Sequence, residues 1–268
     1  MPAPSFTDIG VSLDGHVATI EIQRPPHNFF DFSLIGQIAD AFTAMDEDPR
    51  CRAIVLSAQG KSFCAGANFG SGRDDGSGSA DFTEEGFRNT TGKLYREAVR
   101  LFNCKKPVVG AIQGPAIGGG LGLALVPDFR VVSPEARFAA NFAKLGIHPG
   151  FGLTVTLPNL IGQQGANLMF FTGRRLSGIE ALEIGLADRL VDADELRGAA
   201  HELAAEIAEN APLAVVSVRA TMRQGLAARV AAATEHELKE QQWLRATNDA
   251  VEGIRAVAER RPGKFVGK

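Results

Sequence analysis

The chain has 268 residues, of which 45% are hydrophobic and 22% are charged, and its formal net charge at pH 7 is −3. This length suits one large domain or one domain with a small appendage, and the slight negative charge excludes a general nucleic-acid binder and a basic membrane-surface protein. The 3 cysteines contain no Cys-x-x-Cys pair, which predicts reduced thiols in a cytoplasmic protein and no zinc site.

The first predicted elements alternate between strands and helices. Residues 11–13 and 17–22 are apolar segments on either side of Asp14-Gly15, a pattern typical of a β-hairpin. Residues 33–45 carry apolar side chains at helical spacing and end before Pro49, which predicts a helix. Continuous apolar runs then predict buried strands at residues 52–57, 107–112 and 128–133.

Glycine divides the middle of the chain into a loop and a short helix. Residues 70–80 are rich in Gly, Ser and Asp, which predicts a mobile surface loop, and residues 82–103 follow it with a helical pattern. Residues 107–126 are uncharged but contain 6 glycines and Pro115. We therefore interpret them as a strand, a glycine turn and a buried helix at 121–125, and not as a membrane span.

After Asp192 only helical patterns remain. Strands that alternate with helices and then give way to helices alone indicate an α/β core with a helical appendage. The predicted boundary lies near residue 200, with a core at 1–200 and a C-terminal helical region at 201–268. The helices predicted in that region cover residues 201–209, 213–233, 236–246 and 251–260.

The sequence lacks the motifs of several enzyme classes. No Gly-x-Ser-x-Gly motif occurs, which argues against an α/β-hydrolase. His201-Glu202 and His236-Glu237 begin like a zincin motif, but neither pair has the second histidine. The glycine cluster at 118–122 fits neither the dinucleotide-binding pattern nor the Walker pattern.

Two glycine-containing turns, at residues 60–68 and 113–120, each follow a predicted strand. Each turn can direct backbone N–H groups into a pocket, and the second also precedes a helix, whose N-terminus favours negative charge. Two such donors at one carbonyl oxygen form an oxyanion hole. The alternative is that the glycines merely allow tight packing of strand against helix.

The same two turns resemble motifs of a known family. Residues 63–68 resemble the crotonase segment Phe-x-Ala-Gly-Ala-Asp, and residues 114–123 resemble its segment Gly-x-Ala-x-Gly-Gly-Gly-x-Glu-Leu. Further matches run in order along nearly the whole chain, at Phe138, Leu145-Gly146, Pro149-Gly150, 173–177, 181–188, 252–254 and 259–262. The chain is thus similar to the crotonase, or enoyl-CoA hydratase/isomerase, superfamily.

This resemblance implies a fold, a ligand and an assembly. The fold is α/β, a spiral of ββα units with a C-terminal helical trimerisation region. The ligand is an acyl-CoA thioester, in which coenzyme A is part of the substrate and no separate cofactor is needed. The assembly is a homotrimer or a hexamer.

Residue by residue, the resemblance places the oxyanion donors on the backbone N–H groups of Ala67 and Gly119. Arg260 matches a basic position that contacts CoA from the C-terminal helix, although an exposed arginine there is equally consistent with a solvated charge. The full set of implied substrate-binding positions is Pro26, His27, Ala65, Asn68, Phe69, Gly118, Gly122, Phe142 and Arg260.

The resemblance breaks at both hydratase glutamates. Gly122 stands at the position of the family's first glutamate, and Phe142 stands at the position of the second. A general acid or base contributes roughly 10²- to 10⁴-fold to a rate, so ordinary hydration and double-bond isomerisation are not expected. The oxyanion hole alone still stabilises a thioester enolate.

Other residues are candidates to replace the glutamates. His148 lies on a loop where relatives carry catalytic side chains, and it titrates near neutral pH, as a general base should. Glu84 and Glu85 begin the helix after the glycine-rich loop, where acids are also ordinary capping residues. Trp243 either borders the acyl group or packs between helices.

Three functions remain open from the sequence. The leading hypothesis is an enzyme that acts on an acyl-CoA thioester through an enolate. The alternatives are a non-catalytic acyl-CoA-binding protein, and a CoA-thioester hydrolase or carbon–carbon lyase that uses His148.

Overall fold

The computed structural model describes residues 6–67 and 84–268. The predicted loop at 70–80 and the predicted binding positions Asn68 and Phe69 lie outside these residues. The side chain of Glu84 is likewise not described.

A six-stranded sheet forms the centre of the fold, in the order β1-β2-β3-β4-β6-β9. The predicted hairpin is confirmed: β1 and β2 are antiparallel, Ile9 pairs with Ile22 and Asp14 with Val17, and Gly15 between them has φ 54°. The other pairs are parallel. The strands are β1 Ile9–Asp14, β2 Val17–Ile22, β3 Ala53–Ala58, β4 Val108–Ile112, β6 Phe129–Val132 and β9 Arg189–Leu190.

A three-stranded sheet, in the order β5-β7-β8, completes the spiral. Its strands are β5 Pro115–Ile117, β7 Arg137–Ala139 and β8 Arg175–Ser177. A strand of the large sheet is followed by a strand of the small sheet and then by a helix, first as β4, β5 and α4 (Gly119–Ala124) and again as β6, β7 and α5 (Leu153–Thr172). These repeats confirm the predicted spiral of ββα units.

Helices pack on the large sheet and on one another, with α1 (Phe32–Glu47) against β1 and β2 and α7 (Leu196–Ala208) against β2, β3, β4 and β6. Ile54 and Leu56 of β3 belong to the main core, whereas Val55 packs with Ala200 and Ala204 on the opposite face. The other helices are α2 Glu84–Asn89, α3 Thr91–Leu101, a 3₁₀ helix Asn141–Leu145, α6 Gly178–Glu183, α8 Pro212–Met222, α9 Leu226–Leu244 and α10 Asn248–Ala258.

The predicted boundaries of two C-terminal helices are wrong. The sequence predicts one helix over residues 213–233, but two helices form, with Gly225 between them. The φ of Gly225 is 73°, in the left-handed region that glycine favours. The predicted break before His236 is absent, because α9 continues through it without a helix-breaking residue. Residue 200 lies inside α7, and α7 packs on β3, β4 and β6. The division into a core and an oligomerisation region stays a prediction.

Residues 107–126 form β4, β5 and α4, so the predicted strand and buried helix are present, whereas the short strand β5 lies where the sequence predicts only a glycine turn. Within residues 6–67 and 84–268, no helix combines the length and the hydropathy that crossing a bilayer requires.

Candidate active site

A cavity of about 700 Å³ opens beside the two glycine turns. Its described walls come from the turns after β2 and β3, the start of α4, the 3₁₀ helix, α3, α9 and α10. The aromatic side chains of Phe30, Phe142 and Phe151 supply much of the apolar wall. A volume of this size matches the usual range of ligand sites.

The two glycine turns are held together by backbone hydrogen bonds. Cys64 pairs with Ala116 in a parallel bridge, with Cys64 N–H donating to Pro115 O at 3.0 Å and Ile117 N–H donating to Cys64 O at 3.1 Å. Gly66 has φ 87°, and a Cβ on it would lie 2.7 Å from Ile117 O and 3.8 Å from Gly119 N. A side chain at position 66 would collide with Ile117 O, so only glycine lets the two turns lie this close together.

The N–H groups of Ala67 and Gly119 are the two predicted oxyanion donors. Both residues line the cavity, and neither N–H donates a hydrogen bond to any residue of the described chain. Gly119 begins α4, where the first N–H groups of a helix have no partner within the helix. Both donors are therefore available to an oxygen atom of a ligand.

Asn28 and Gln113 hold the first turn in place, and the sequence analysis missed both. The fully buried Asn28 has φ 50° and donates through Nδ2 to Gln59 O and Ser62 O, each at 2.7 Å. Gln113 Nε2 lies 3.0 Å from both Ala58 O and Ser62 O. The sole sequence signal for Asn28 was that asparagine tolerates the left-handed region.

Gly122 and Phe142, the two altered glutamate positions, differ in their surroundings. Phe142 lines the cavity with its side chain. Gly122 is buried below Phe151, and a Cβ on Gly122 would lie 2.7 Å from both Cβ and Cδ1 of Phe151. The Phe151 ring thus fills the space that a side chain at position 122 would need.

Among the described residues that line the cavity, Asp31 carries the sole carboxylate. Its oxygens already accept hydrogen bonds, from Arg24 Nη1 at 2.7 Å and from Leu34 N–H at 2.8 Å. The second bond caps the N-terminus of α1. Asp31 therefore serves as a helix cap and an ion-pair partner, which leaves it poorly placed as a catalytic base.

The structure places the remaining candidates at different distances from the cavity. Pro26, His27, Ala65 and Gly118 line it, and their binding of a substrate stays a prediction. The His148 side chain lies outside the described lining: its Nδ1 is 2.8 Å from Pro149 O and its ring packs edge-on against His236. Arg260, Glu85 and Trp243 also lie outside the lining and are exposed.

Helix α9 supplies three side chains that the sequence analysis missed. The buried Glu237 accepts hydrogen bonds from Gly152 N–H at 2.8 Å and Thr154 Oγ at 2.6 Å, which caps α5; burial raises the pKa of its carboxyl. Gln241 and Arg245, four and eight residues further along the helix, line the cavity. No motif marks them, because their role depends on how α9 packs against the loop at 148–152.

Comparison with known proteins gives consistent results. The sequence matches the family of enoyl-CoA hydratase/isomerase proteins over residues 13–268. A carnitinyl-CoA dehydratase from Proteus mirabilis is 35% identical over 259 residues, which cover 95% of this chain and 96% of that protein.

Solved structures agree with this result. The crystal structure of an enoyl-CoA hydratase/isomerase from Pseudoalteromonas atlantica aligns with a TM-score of 0.84 at 30% identity, covering 97% of this chain and all of that one. Pseudomonas aeruginosa DspI aligns with a TM-score of 0.75 at 30% identity, covering 99% of each chain.

Proposed function

This chain belongs to the enoyl-CoA hydratase/isomerase family, the crotonases, and we propose that it binds an acyl-CoA thioester through an oxyanion hole formed by Ala67 and Gly119. One observation carries the proposal: both backbone N–H groups border the cavity without an acceptor in the described chain. A thioester carbonyl oxygen between them would receive two hydrogen bonds, which strengthen as negative charge develops on it.

The chemistry this arrangement favours is formation of a thioester enolate. When a bond at the α-carbon breaks and leaves its electron pair behind, the pair delocalises onto the carbonyl oxygen, where the two N–H groups stabilise it. A single such donor is worth roughly 10²- to 10³-fold in rate. This half of the family's machinery is retained in the chain.

Ordinary hydration is not part of the proposal. Gly122 and Phe142 carry no proton-transfer group, and Phe151 fills the space above Gly122. The similar protein from Proteus mirabilis is named a carnitinyl-CoA dehydratase, and carnitinyl-CoA belongs in a substrate panel for this reason. The missing carboxylates favour a different reaction in this chain.

Calorimetry with two ligands tests the oxyanion hole. Butyryl-CoA and its thioether analogue S-butyl-CoA differ in the carbonyl oxygen, and all other contacts are shared. We expect micromolar affinity for the thioester, on the order of 8 kcal/mol, and at least about tenfold weaker binding of the thioether, because two backbone donors lose their acceptor. Equal affinities would exclude the hole, and no heat from either ligand would exclude the acyl-CoA site.

Turnover of crotonyl-CoA tests the proposed lack of hydratase activity. We expect very slow loss of the enoyl-thioester absorbance at neutral pH, because each missing acid–base group costs roughly 10²- to 10⁴-fold. Turnover on the order of tens per second or faster would contradict this proposal.

A non-catalytic acyl-CoA-binding protein is the second candidate. It is favoured by the engagement of Asp31, the only carboxylate of the described lining, with Arg24 and the first turn of α1. Mass spectrometry of a CoA-thioester panel separates the two candidates, since an enzyme converts at least one thioester over hours and a binding protein leaves all of them unchanged.

A further inference from the structure

Two neutral polar side chains lie deep in the cavity, at the end that Arg245 also lines. Tyr95 of α3 and Gln241 of α9 line it, yet only 7% and 2% of these residues are exposed. A Cβ on Gly150 would lie 1.8 Å from Tyr95 Oη and 2.6 Å from Gln241 Nε2. Both polar atoms therefore lie close to the backbone of Gly150, and together they form one polar group at the cavity wall.

The surroundings of the Tyr95 hydroxyl act on it in opposite directions. Burial and the charge of Glu237 raise its pKa, and the neighbouring Gln241 amide and Phe151 N–H lower it in part. Gln241 is fixed in turn by donating to His148 O at 2.8 Å. The hydroxyl itself donates no hydrogen bond to any residue of the described chain. Its proton is thus available to an acceptor from outside the protein.

Burial keeps this proton in place. Burial raises the pKa of Tyr95 above its ordinary value, so the phenol is neutral at physiological pH. A neutral phenol donates a hydrogen bond and does not act as a base. Tyr95 is therefore suited to recognise an oxygen acceptor.

Phe151 connects this polar group to the proposed oxyanion hole. Its N–H is one of the groups that lower the pKa of Tyr95, and its Cδ2 lies 3.7 Å from where a Cβ on Gly119 would be. The wall between Gly119 and Tyr95 is aromatic, with Phe30 packed against Phe151 at 5.6 Å between ring centroids. An acyl group whose carbonyl binds at Gly119 would extend along Phe151 toward Tyr95.

We propose that the cavity selects acyl groups with a hydroxyl or keto oxygen, which accepts a hydrogen bond from the Tyr95 hydroxyl while Gln241 holds the phenol in place. This inference rests on the proposed acyl-CoA function and names its substrate class. A pure hydrocarbon chain would leave the buried hydroxyl without an acceptor, and a site built to form a hydrogen bond discriminates against a ligand that lacks it.

Binding of matched four-carbon thioesters tests the proposal. Butyryl-CoA is compared with 3-hydroxybutyryl-CoA and 4-hydroxybutyryl-CoA, on wild-type protein and on Tyr95→Phe, which keeps the ring and removes the hydroxyl. We expect the wild type to bind at least one hydroxyacyl ligand about tenfold or more tightly than butyryl-CoA. The variant should bind all of them about equally, because the donor that distinguishes the ligands is gone.

A spectroscopic measurement covers the case in which Tyr95→Phe folds poorly. Tyr95 is the only tyrosine of the sequence, so protein labelled with ¹³C at tyrosine Cζ gives one resonance. We expect that resonance to move further with the preferred hydroxyacyl-CoA than with butyryl-CoA, because a new hydrogen bond forms at the phenol.

Three results would overturn the inference. The first is equal binding of all ligands to the wild type, and the second is a preference that survives in Tyr95→Phe. The third is a tyrosine resonance that responds identically to hydroxyacyl-CoA and butyryl-CoA. If none of the thioesters binds, the proposed acyl-CoA function fails together with this inference, whereas binding without discrimination refutes the inference alone.

Discussion

Phe151 occupies the space beside Gly122, one of the two altered glutamate positions. It is almost fully buried and has φ 65°. A non-glycine residue in the left-handed region is strained, so the packing of Phe151 has to outweigh a backbone cost. Gly122 and Phe151 are therefore coupled, and introducing a carboxylate at position 122 also requires a smaller residue at 151.

A double-mutant cycle tests this coupling. Gly122→Ala should destabilise the wild type by about 1–3 kcal/mol, since its Cβ would overlap Phe151. In a Phe151→Gly background the same change should be neutral or stabilise by up to about 1 kcal/mol, because alanine favours the helix. The measurement is the free energy of unfolding in denaturant.

Gly198→Ala is the matched control for that cycle. Gly198 lies in α7, and a Cβ on it would meet no atom within 4 Å, so the substitution should stabilise the protein by about 0.5–1 kcal/mol in both backgrounds. An equal effect of Gly122→Ala in both backgrounds would refute the coupling.

Site residues that lie in a contiguous sequence motif could be predicted, and those that helix packing brings together could not. Ala67 and Gly119 were identified because each lies in a contiguous motif, and both line the cavity. His148 was selected from its loop, yet its ring packs against His236 outside the described lining. Tyr95 and Gln241 carry no local signal, because they meet only when α3 packs against α9.

At the scale of elements, ion pairs with Asp128 hold helix α8 against the core. None of its residues is buried, but Arg219 Nε and Arg223 Nη1 each lie 2.7 Å from a carboxylate oxygen of Asp128, just before β6. Burial raises the pKa of Asp128, but the two arginines outweigh it and hold the pKa below its ordinary value of 3.8. The carboxylate thus stabilises the docked helix while it is ionised.

Acid or removal of the carboxylate should release α8. Because the folded pKa is lowered, this stabilisation is complete above the ordinary value of 3.8 and is lost as the pH falls through the lower folded value. Asp128→Asn should cost about 3 kcal/mol or more, because two partly buried arginines lose their partner. Hydrogen exchange at neutral pH should show the loss in α8 first.

The control for α8 is Asp14→Asn, which changes an aspartate that is 91% exposed and should leave stability within about 0.5 kcal/mol. Unchanged protection of the α8 amides in Asp128→Asn would contradict the proposed role of the ion pairs.

Element types were predicted better than element boundaries. Strands β3 and β4 are nearly continuous apolar runs, which are typical of buried strands, and the Asp14-Gly15 hairpin formed as expected. The division between α8 and α9 was missed, because helix-compatible sequence on both sides of Gly225, alanine-rich after it, continues the helical pattern. A single glycine within a helical pattern is a weak signal for the end of a helix, because helices tolerate glycine unless packing requires a turn there.

At the scale of the whole molecule, apolar side chains are exposed on several helices. Phe171 of α5 is 76% exposed, and Leu213 and Met222 of α8 are 84% and 80% exposed. Large exposed apolar patches commonly mark interfaces, and this distribution supports the predicted homotrimer or hexamer.

Light scattering tests the assembly. We expect a mass of three or six times the 28.4 kDa of one chain, and we expect Leu213→Glu with Met222→Glu to lower it, since buried unpaired carboxylates disfavour association. Val266→Glu, at an exposed residue of the C-terminal tail, should leave the mass unchanged. A wild-type mass of one chain at micromolar concentration would exclude the predicted assembly.

Glu237, Gln241 and Arg245 follow one another at four-residue intervals along α9 and into its C-terminal cap. Gln241 and Arg245 line the cavity, and Glu237 holds Gly152 beside it. The proposed carbonyl-binding turns come from residues more than 100 positions earlier. The proposed acyl-selecting pair is thus encoded in two distant stretches of the gene, with Tyr95 between the two turns and Gln241 far beyond them. Recombination that exchanges only the stretch for α9 between homologous genes would replace one member of this pair, and would alter the acyl preference while both carbonyl-binding turns stay in place.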